Sequence, residues 1–583
     1  MLLNSRLARW LRDYTKRRRV FFTYAAIGVS GIVIDILLFA LLVYLLHINP
    51  AVATIISTSF GITNNFLWNA AYNFKKKDGL WRRFFAFYGI GIAGIVASAL
   101  IVLLLADIFA VDPLIVKLLS LPPVVIGQYF LNKRFSFGQK LPSVRRVGQF
   151  VKTHKLLFAV YIIFAALSVL SVKFTPYVPN SLGAPDEGQH YGKNVEFILD
   201  HHRLPVSGQD DIDSLSTCRD NPFGQATCLY SYQFTPAFSY VLSAMTAKIG
   251  NAVGLSSLNG ARLASTLWGL VYITGVYLIS RLFISYRWAV GLTAIAAFIP
   301  QVIFISSYVS DDIHSLALST LLVYTSLAYI KFGQTKLRWW FYLSFGLLFL
   351  SKYNYFVLAL VPAVLLVARW FHTKDWRPLI KDGGWMAVAA LLLAGPWFLR
   401  NWLLYHDLMG MNFTLLEMSK YHAPGVRWSF LDPQSYLLLF RFDALNTLFE
   451  SFFARFGYMY VRLGESYYTL LKLAAVAGLT ALWAFGNRKV RQALGIAVGL
   501  VVLMICLITA NAFIYDFQFQ GRYLFSTIAV FVAVVAFALS QLKAAKRQNI
   551  AKGWLFGGLC VMAVVLLQSV LVVGTNLVGF YIK

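Results

Sequence analysis

Apolar runs of a length that approaches or reaches a bilayer crossing recur along the whole chain, and they fix most of what it can fold into. A hydrocarbon core roughly 30 Å thick takes about 20 apolar residues per helical crossing. Runs such as 32–46, 288–306 and 493–510 show none of the strict apolar/polar alternation of a membrane barrel. Backbone polar groups in lipid must pair within their own segment, so these runs read as helices. With 59% hydrophobic and 13% charged residues in 583, soluble globular and disordered chains are both excluded. The reading is an all-α polytopic membrane protein.

The net charge of +28 comes from 52 Lys+Arg against 24 Asp+Glu, and its distribution decides its meaning. Basic clusters at 16–19, 75–83, 133–134, 145–146, 331–338, 374–381, 488–491 and 543–552 fall between apolar runs, as cytoplasmic loops do. No basic soluble module interleaved with aromatics exists, which argues against nucleic acid as a partner. The first apolar run begins near Phe21 behind a basic head and without a cleavage signature, so the N-terminus is expected in the cytoplasm of a multi-pass cell-membrane protein. Cys506 and Cys560 lie in apolar runs. Cys218 and Cys228 lie in a long polar loop, where a disulfide and two free thiols are both compatible with the spacing.

Shifting the first 74 residues by 63 positions aligns Arg19 with Arg82, Ile27-Gly28 with Ile90-Gly91, Gly31-Ile32-Val33 with Gly94-Ile95-Val96, Pro50 with Pro113, Asn69 with Asn132 and Phe74 with Phe137. Each unit carries two apolar runs, so the repeat predicts a four-helix domain over residues 1–145 whose halves share one orientation. Both halves leave the membrane through an aromatic, amide-rich and basic stretch, Asn65 to Lys75 and Gln128 to Phe137. These residues resemble the GtrA-like family of small membrane proteins. That resemblance implies movement or presentation of polyprenyl-phosphate-linked sugars, with Asn65, Asn69, Asn132 and Arg134 as candidate contacts. An interfacial aromatic belt is the plainer reading of the same residues. Asp35 is singled out because a carboxylate inside an apolar run is costly and faces a cavity or a partner.

In residues 146–583, parity and basic clusters predict about eleven spans: 156–172, 262–283, 288–309, 314–332, 338–351, 355–371, 384–402, 465–485, 493–511, 523–541 and 553–575. The short apolar stretch 236–250 is expected to lie in the interface, because a crossing there would put Arg281 and Arg287 on the wrong side. The exterior face then gathers an acidic loop with Ala184-Pro185-Asp186-Glu187-Gly188-Gln189-His190, the Asp311-Asp312 pair, the Lys352 break, and Gly521-Arg522-Tyr523. Asp186 and Glu187 are candidate catalytic carboxylates, since transfer to a hydroxyl needs a nearby base. His190, Asp311, Asp312, Lys352, Arg400, Arg522 and Tyr523 are candidates for holding substrate and its phosphate. Helix opening by Asp186-Glu187 and by Asp311-Asp312 is the competing reading of both acidic pairs.

Together with Tyr232-Gln233-Phe234-Thr235-Pro236 and Gly395-Pro396-Trp397-Phe398-Leu399-Arg400-Asn401, these motifs resemble the GT-C superfamily of membrane glycosyltransferases. The resemblance implies inverting sugar transfer from a polyprenyl phosphate on the exterior face, with Asp186 as base. It also implies a glycan, lipid or protein acceptor, membrane lipids as surroundings, and a cytoplasmic polyprenyl-phosphate-sugar synthase as supplier. Where some relatives carry a Lys before a Pro-Pro pair, this chain has Gln233, Thr235 and Pro236, which leaves the phosphate-binding base to be sought among Lys352, Arg400 and Arg522. No cofactor is fixed by these residues; a divalent cation at Asp311-Asp312 is the one candidate, and no metal ligand set is assigned. The competing functional class is a secondary transporter or flippase of lipid-linked sugars without transferase activity.

Overall fold

The computed structural model describes residues 2–46, 50–76, 78–109, 124–138, 153–173, 184, 186–220, 226–228, 231–421, 433–441, 443–457, 459–514, 518–544 and 547–581. The chain divides into two compact units, Met1–His154 and Lys155–Lys583. The boundary expected at 145/146 lies outside the described residues.

The first unit is built from the helices Leu2–Ala40, Pro50–Trp68 and Leu80–Phe109 and a helical segment at 124–131. Its repeat has a structural counterpart in detail. The second and fourth helices each end in a π-helical turn, Asn69–Asn73 and Asn132–Ser136, separated by the same 63 positions. In the first turn Asn73 Nδ2 donates to Asn69 Oδ1 at 2.9 Å, and in the second Ser136 Oγ donates to Asn132 Oδ1 at 2.8 Å. Phe74 and Phe137, equivalent under the repeat, stack on each other at 4.4 Å with 7° between their planes. Tyr24, Phe66, Phe87 and Tyr129 complete this aromatic core. The close approach of helices explains two glycines: a Cβ on Gly31 would collide with the Asn65 amide, and one on Gly94 with the Gln128 amide.

The second unit has a central set and an outer set of helices. Asp312–Lys331 is 83% buried over its most apolar stretch, Gly521–Ala544 67% and Ser257–Arg281 56%, whereas the other five candidate spans of this unit are buried over 17–22%. The first three therefore form the protein-packed centre, and the rest present apolar side chains to lipid. The helix Phe238–Ala252 has 15 residues, too few to cross, and rests on Ser257–Arg281. Gly250 and Gly260 make this contact close: a Cβ on Gly250 would lie 2.8 Å from the Gly260 Cα. Arg377–Leu393 and Gly395–Tyr405 meet at a 54° bend. The bend falls at Gly395-Pro396, where proline cannot donate to the preceding turn.

Among the described residues nine helices are long and apolar enough to cross a membrane, or ten if the bent pair is one span. Two of the runs read as spans in the sequence, 288–309 and 338–351, are built from shorter helices. The run 288–309 is two helices, Tyr286–Ala297 and Pro300–Ile305, because Pro300 opens a new helix instead of continuing the old one. The run 338–351 forms a helix of only 11 residues, Arg338–Leu348, before the chain turns at Ser351-Lys352.

Candidate active site

The loop after Lys155–Lys173 returns to the helical centre at Asp186, whose φ of 60° places it in the left-handed region. Aspartate tolerates this conformation better than most residues, and the turn separates the directions of Asp186 and its neighbour Glu187. The carbonyl of Asp186 accepts from the N–H groups of Gln189 and His190 at 3.0 and 2.9 Å, starting the helical run Gly188–Glu196. Neither Glu187 nor Asp311 caps its following helix through its side chain. The acidic pairs are used otherwise.

Asp186 Oδ2 accepts from Arg522 Nη2 at 2.8 Å, and Arg522 Nη1 reaches Asp312 Oδ2 at 3.3 Å. Lys352 Nζ donates to Asp311 Oδ1 and Asp312 Oδ1, both at 3.0 Å. Three carboxylates and two cations thus form one chain of contacts, Asp186–Arg522–Asp312–Lys352–Asp311. The Arg522 side chain is 4% exposed and that of Asp186 25%, so Asp186 is the member open to an incoming molecule. Burial pushes the Asp186 carboxyl up, but the adjacent Arg522 charge and hydrogen bond outweigh it and hold the group below the usual carboxylate range. Burial acts to lower Lys352, and Asp311 and Asp312 more than reverse it, so the ammonium stays charged. Arg522 Nε and Asp311 Oδ2 are buried without a hydrogen-bond partner among the described residues.

Lys352 is aimed by the break in the helical path. Its backbone N–H donates to Ser315 Oγ at 2.8 Å, and its ammonium lies 6.0 Å from the Tyr232 ring and 5.7 Å from that of Tyr523. Tyr523 donates its hydroxyl to Gln518 Oε1 at 2.7 Å. Tyr232 also has φ of 60°, so two non-glycine residues in sparsely populated backbone conformations meet here. Lys352, Tyr232, Tyr523 and Gln518 line the polar end of a cavity of about 380 Å³. Met411, Met504, Leu507 and Ile508 line its apolar part.

Glu187 faces the other way. Its carboxylate accepts from Arg262 Nε at 2.8 Å, Arg262 Nη2 at 2.5 Å and the Val309 N–H at 2.9 Å, in a fully buried pair. Both oxygens are engaged, which makes Glu187 a brace between the loop, the helix Ser257–Arg281 and the bend that precedes Asp312. His190 is buried, with Nδ1 2.8 Å from the Tyr240 hydroxyl, its ring stacked on Tyr232 at 4.3 Å, and Nε2 without a partner among the described residues. Burial lowers its pKa against the pull of Asp311, so the imidazole is neutral at neutral pH. Arg400 is not brought to the cluster: it donates to the Pro205 carbonyl at 2.6 Å and stacks on Trp397. Tyr232 stood in a motif of the sequence but without an assigned role, whereas Arg262, Tyr240 and Ser315 escaped sequence reading; of these three only Arg262 carried a signal, as a cation near the start of an apolar run.

A divalent cation at Asp311-Asp312 would have to displace the Lys352 ammonium that bridges them. Among the described residues no three His, Cys, Asp or Glu side chains converge as a metal site would require. Cys218 and Cys228 stand opposite each other in the register of a two-stranded antiparallel ribbon, and their side chains lie outside what is described.

In the first unit Asn69 and Asn132 are both 1% exposed. Asn132 Nδ2 donates to the Tyr24 hydroxyl at 2.8 Å, and Asn69 Nδ2 to the Asn65 carbonyl at 2.8 Å. Asn65 Oδ1 is buried without a partner among the described residues. Asp35 is half-buried beside Gly61, and Arg134 is exposed at the bundle end. The repeat therefore brings Asn65, Asn69 and Asn132 onto interior positions but leaves Arg134 outside them.

The model of the GtrA/DPMS transmembrane domain matches residues 23–137. The family model described as predicted membrane protein (DUF2142) matches residues 182–531. No curated protein matches the chain. Among solved structures, ArnT from Cupriavidus metallidurans bound to undecaprenyl phosphate is 15% identical, with 74% of this chain and 78% of that one covered and a TM-score of 0.34. The oligosaccharyltransferase of Archaeoglobus fulgidus in its apo form is 14% identical, with 72% and 56% covered and a TM-score of 0.38. Since the match over 182–531 takes in more than half of the residues, the chain belongs to the DUF2142 family of membrane proteins.

Proposed function

We propose that the protein is an inverting glycosyltransferase that moves a sugar from a polyprenyl phosphate to an acceptor hydroxyl on the exterior face of the membrane. The observation that carries this reading is the Lys352–Asp312–Arg522–Asp186 chain beside a cavity that is polar at one end and apolar along its wall. Such a cavity suits a phosphate headgroup followed by a hydrocarbon chain. In the reaction the acceptor oxygen attacks the anomeric carbon, the bond from that carbon to the phosphate oxygen breaks, and the phosphate departs with the electron pair. Lys352, which has a third N–H beyond its two carboxylate contacts, and Arg522 Nε stabilise the charge that develops on the phosphate. Asp186, the exposed carboxylate of the cluster, takes the acceptor proton. Its low pKa makes it a weak base until the product phosphate competes for Arg522, so proton transfer and charge development reinforce each other.

A carrier would be expected to hold its ionisable groups near the bilayer midplane. Here Asp312 is the first residue of its span, Arg522 the second of its own, and Lys352 immediately precedes a third. That placement at helix ends supports chemistry at a membrane surface. The amide-rich interior of the first unit supports its role in delivering the lipid-linked sugar, which a cytoplasmic synthase would supply; the acceptor is a glycan, a lipid or a protein.

Titration of the purified full chain with undecaprenyl phosphate, followed by native mass spectrometry, tests the headgroup assignment. Lys352→Gln should weaken binding about tenfold or more, the worth of a hydrogen bond to a charged group. Unchanged affinity in a variant that still melts cooperatively would remove Lys352 from the site.

A further inference from the structure

A second cavity, of about 580 Å³ and almost wholly apolar, opens between the Asp312–Lys331, Tyr353–Thr373, Arg488–Phe513 and Gly521–Ala544 spans. It carries two ammonium groups at one end, Lys331 and Lys489. Lys331 Nζ lies 5.0 Å from the Phe537 ring and 5.5 Å from that of Phe283, and both rings line the cavity. Neither lysine has a hydrogen bond or an ion pair among the described residues. Two like charges are therefore brought to one apolar opening with no counter-anion among the described residues. Lys489 also sits in the first turn of Arg488–Ile514, a turn that has no acidic residue, whereas the helix dipole favours an anion there.

Lys331 closes the 20-residue span that Asp312 opens, about 30 Å of helix and one hydrocarbon thickness away. The lysine pair is thus at the opposite membrane face from the Asp186–Lys352 cluster, and a lipid whose phosphate meets Lys352 cannot also bring that phosphate to Lys331. We infer that this groove binds an anionic phospholipid of the opposite leaflet, with an acyl chain along Val364, Leu500 and Leu503 and the phosphate between Lys331 and Lys489. Charge complementarity selects the occupant: a zwitterionic lipid would bring a cation to the same place, and a neutral lipid would leave both ammonium groups unpaired in an apolar mouth. The argument is independent of the glycosyltransferase reading.

Native mass spectrometry of the delipidated full chain, offered equal dioleoyl phosphatidylglycerol and dioleoyl phosphatidylcholine, tests it. Wild type should retain phosphatidylglycerol about tenfold over phosphatidylcholine, and K331Q/K489Q should retain both equally. Gly499→Leu provides a second test, because Gly499 lines the groove and a Cβ there meets nothing within 4 Å. It should lose the selectively held lipid while leaving the helix intact. Equal retention of the two lipids by wild type, or an undiminished preference in K331Q/K489Q, would overturn the proposal. Displacement of phosphatidylglycerol by inorganic phosphate alone would assign the lysines to a free anion, and displacement by undecaprenyl phosphate would assign the groove to the polyprenyl chain; either result overturns it. Consumption of a sugar donor is expected to be unchanged in K331Q/K489Q.

Discussion

Arg522 sets the charge balance of the cluster, since it lies between Asp186 and Asp312 and is almost fully buried. Arg522→Ala leaves two carboxylates without their shared cation, a change that typically costs about 3–5 kcal/mol, so the variant should melt well below wild type and lose transfer. Arg522→Lys keeps the charge but not the fork that spans both acids, and should recover stability in part and activity little. Because the Asp186 carboxyl is held below its unfolded value of about 3.9, its contribution is fully present above that pH and lost as pH falls through the lower folded value. The melting-temperature gap between wild type and Asp186→Asn should accordingly stay constant from pH 8 to about pH 4 and close in stronger acid. At this scale the sequence showed which acids and bases were unusual but not how they pair. Asp186 and Glu187 are adjacent, yet the left-handed turn at Asp186 sends one to Arg522 and the other to Arg262. Arg400 matched a motif and turned instead to the Pro205 carbonyl.

Elements position these groups mainly by ending where they do. The break after Arg338–Leu348 presents Lys352, and the short 3-10 turn Gly521–Thr527 presents Arg522, each at the end of a buried path. The helix Phe238–Ala252 supplies Tyr240 to His190 and is held against Ser257–Arg281 at Gly250 and Gly260. Gly260→Val should force these backbones apart, cost about 1–3 kcal/mol by overpacking, and lower donor consumption by displacing Tyr240; a thermal melt and an activity assay read the two effects. The apolar runs were legible because lipid allows little else, and the 63-residue repeat was legible because its Asn and Phe positions recur in register. The π-helical turns at Asn69–Asn73 and Asn132–Ser136 were not, since a single extra residue per turn leaves no mark on hydrophobic periodicity. Pro300 did mark its break, but an apolar run on both sides concealed it.

For the molecule as a whole, an amide-lined four-helix unit and a larger unit with a charged cluster share one chain, and on this account the first raises the local supply of donor for the second. N69L/N132L should therefore slow transfer severalfold in proteoliposomes, where the donor must reach the site through the membrane, and change it little in detergent with donor in excess. An equal loss in both settings would make those asparagines structural only. The central claim is that Asp186, beside Arg522 and Lys352, serves transfer from a polyprenyl-phosphate sugar. It is tested most directly by mass spectrometry of a membrane lipid extract incubated with purified wild type or Asp186→Asn protein and an acceptor-containing envelope fraction. The account predicts that one polyprenyl-phosphate sugar disappears, with release of polyprenyl phosphate, in the presence of wild type alone. Equal consumption by a folded Asp186→Asn variant, or none by wild type, would contradict it.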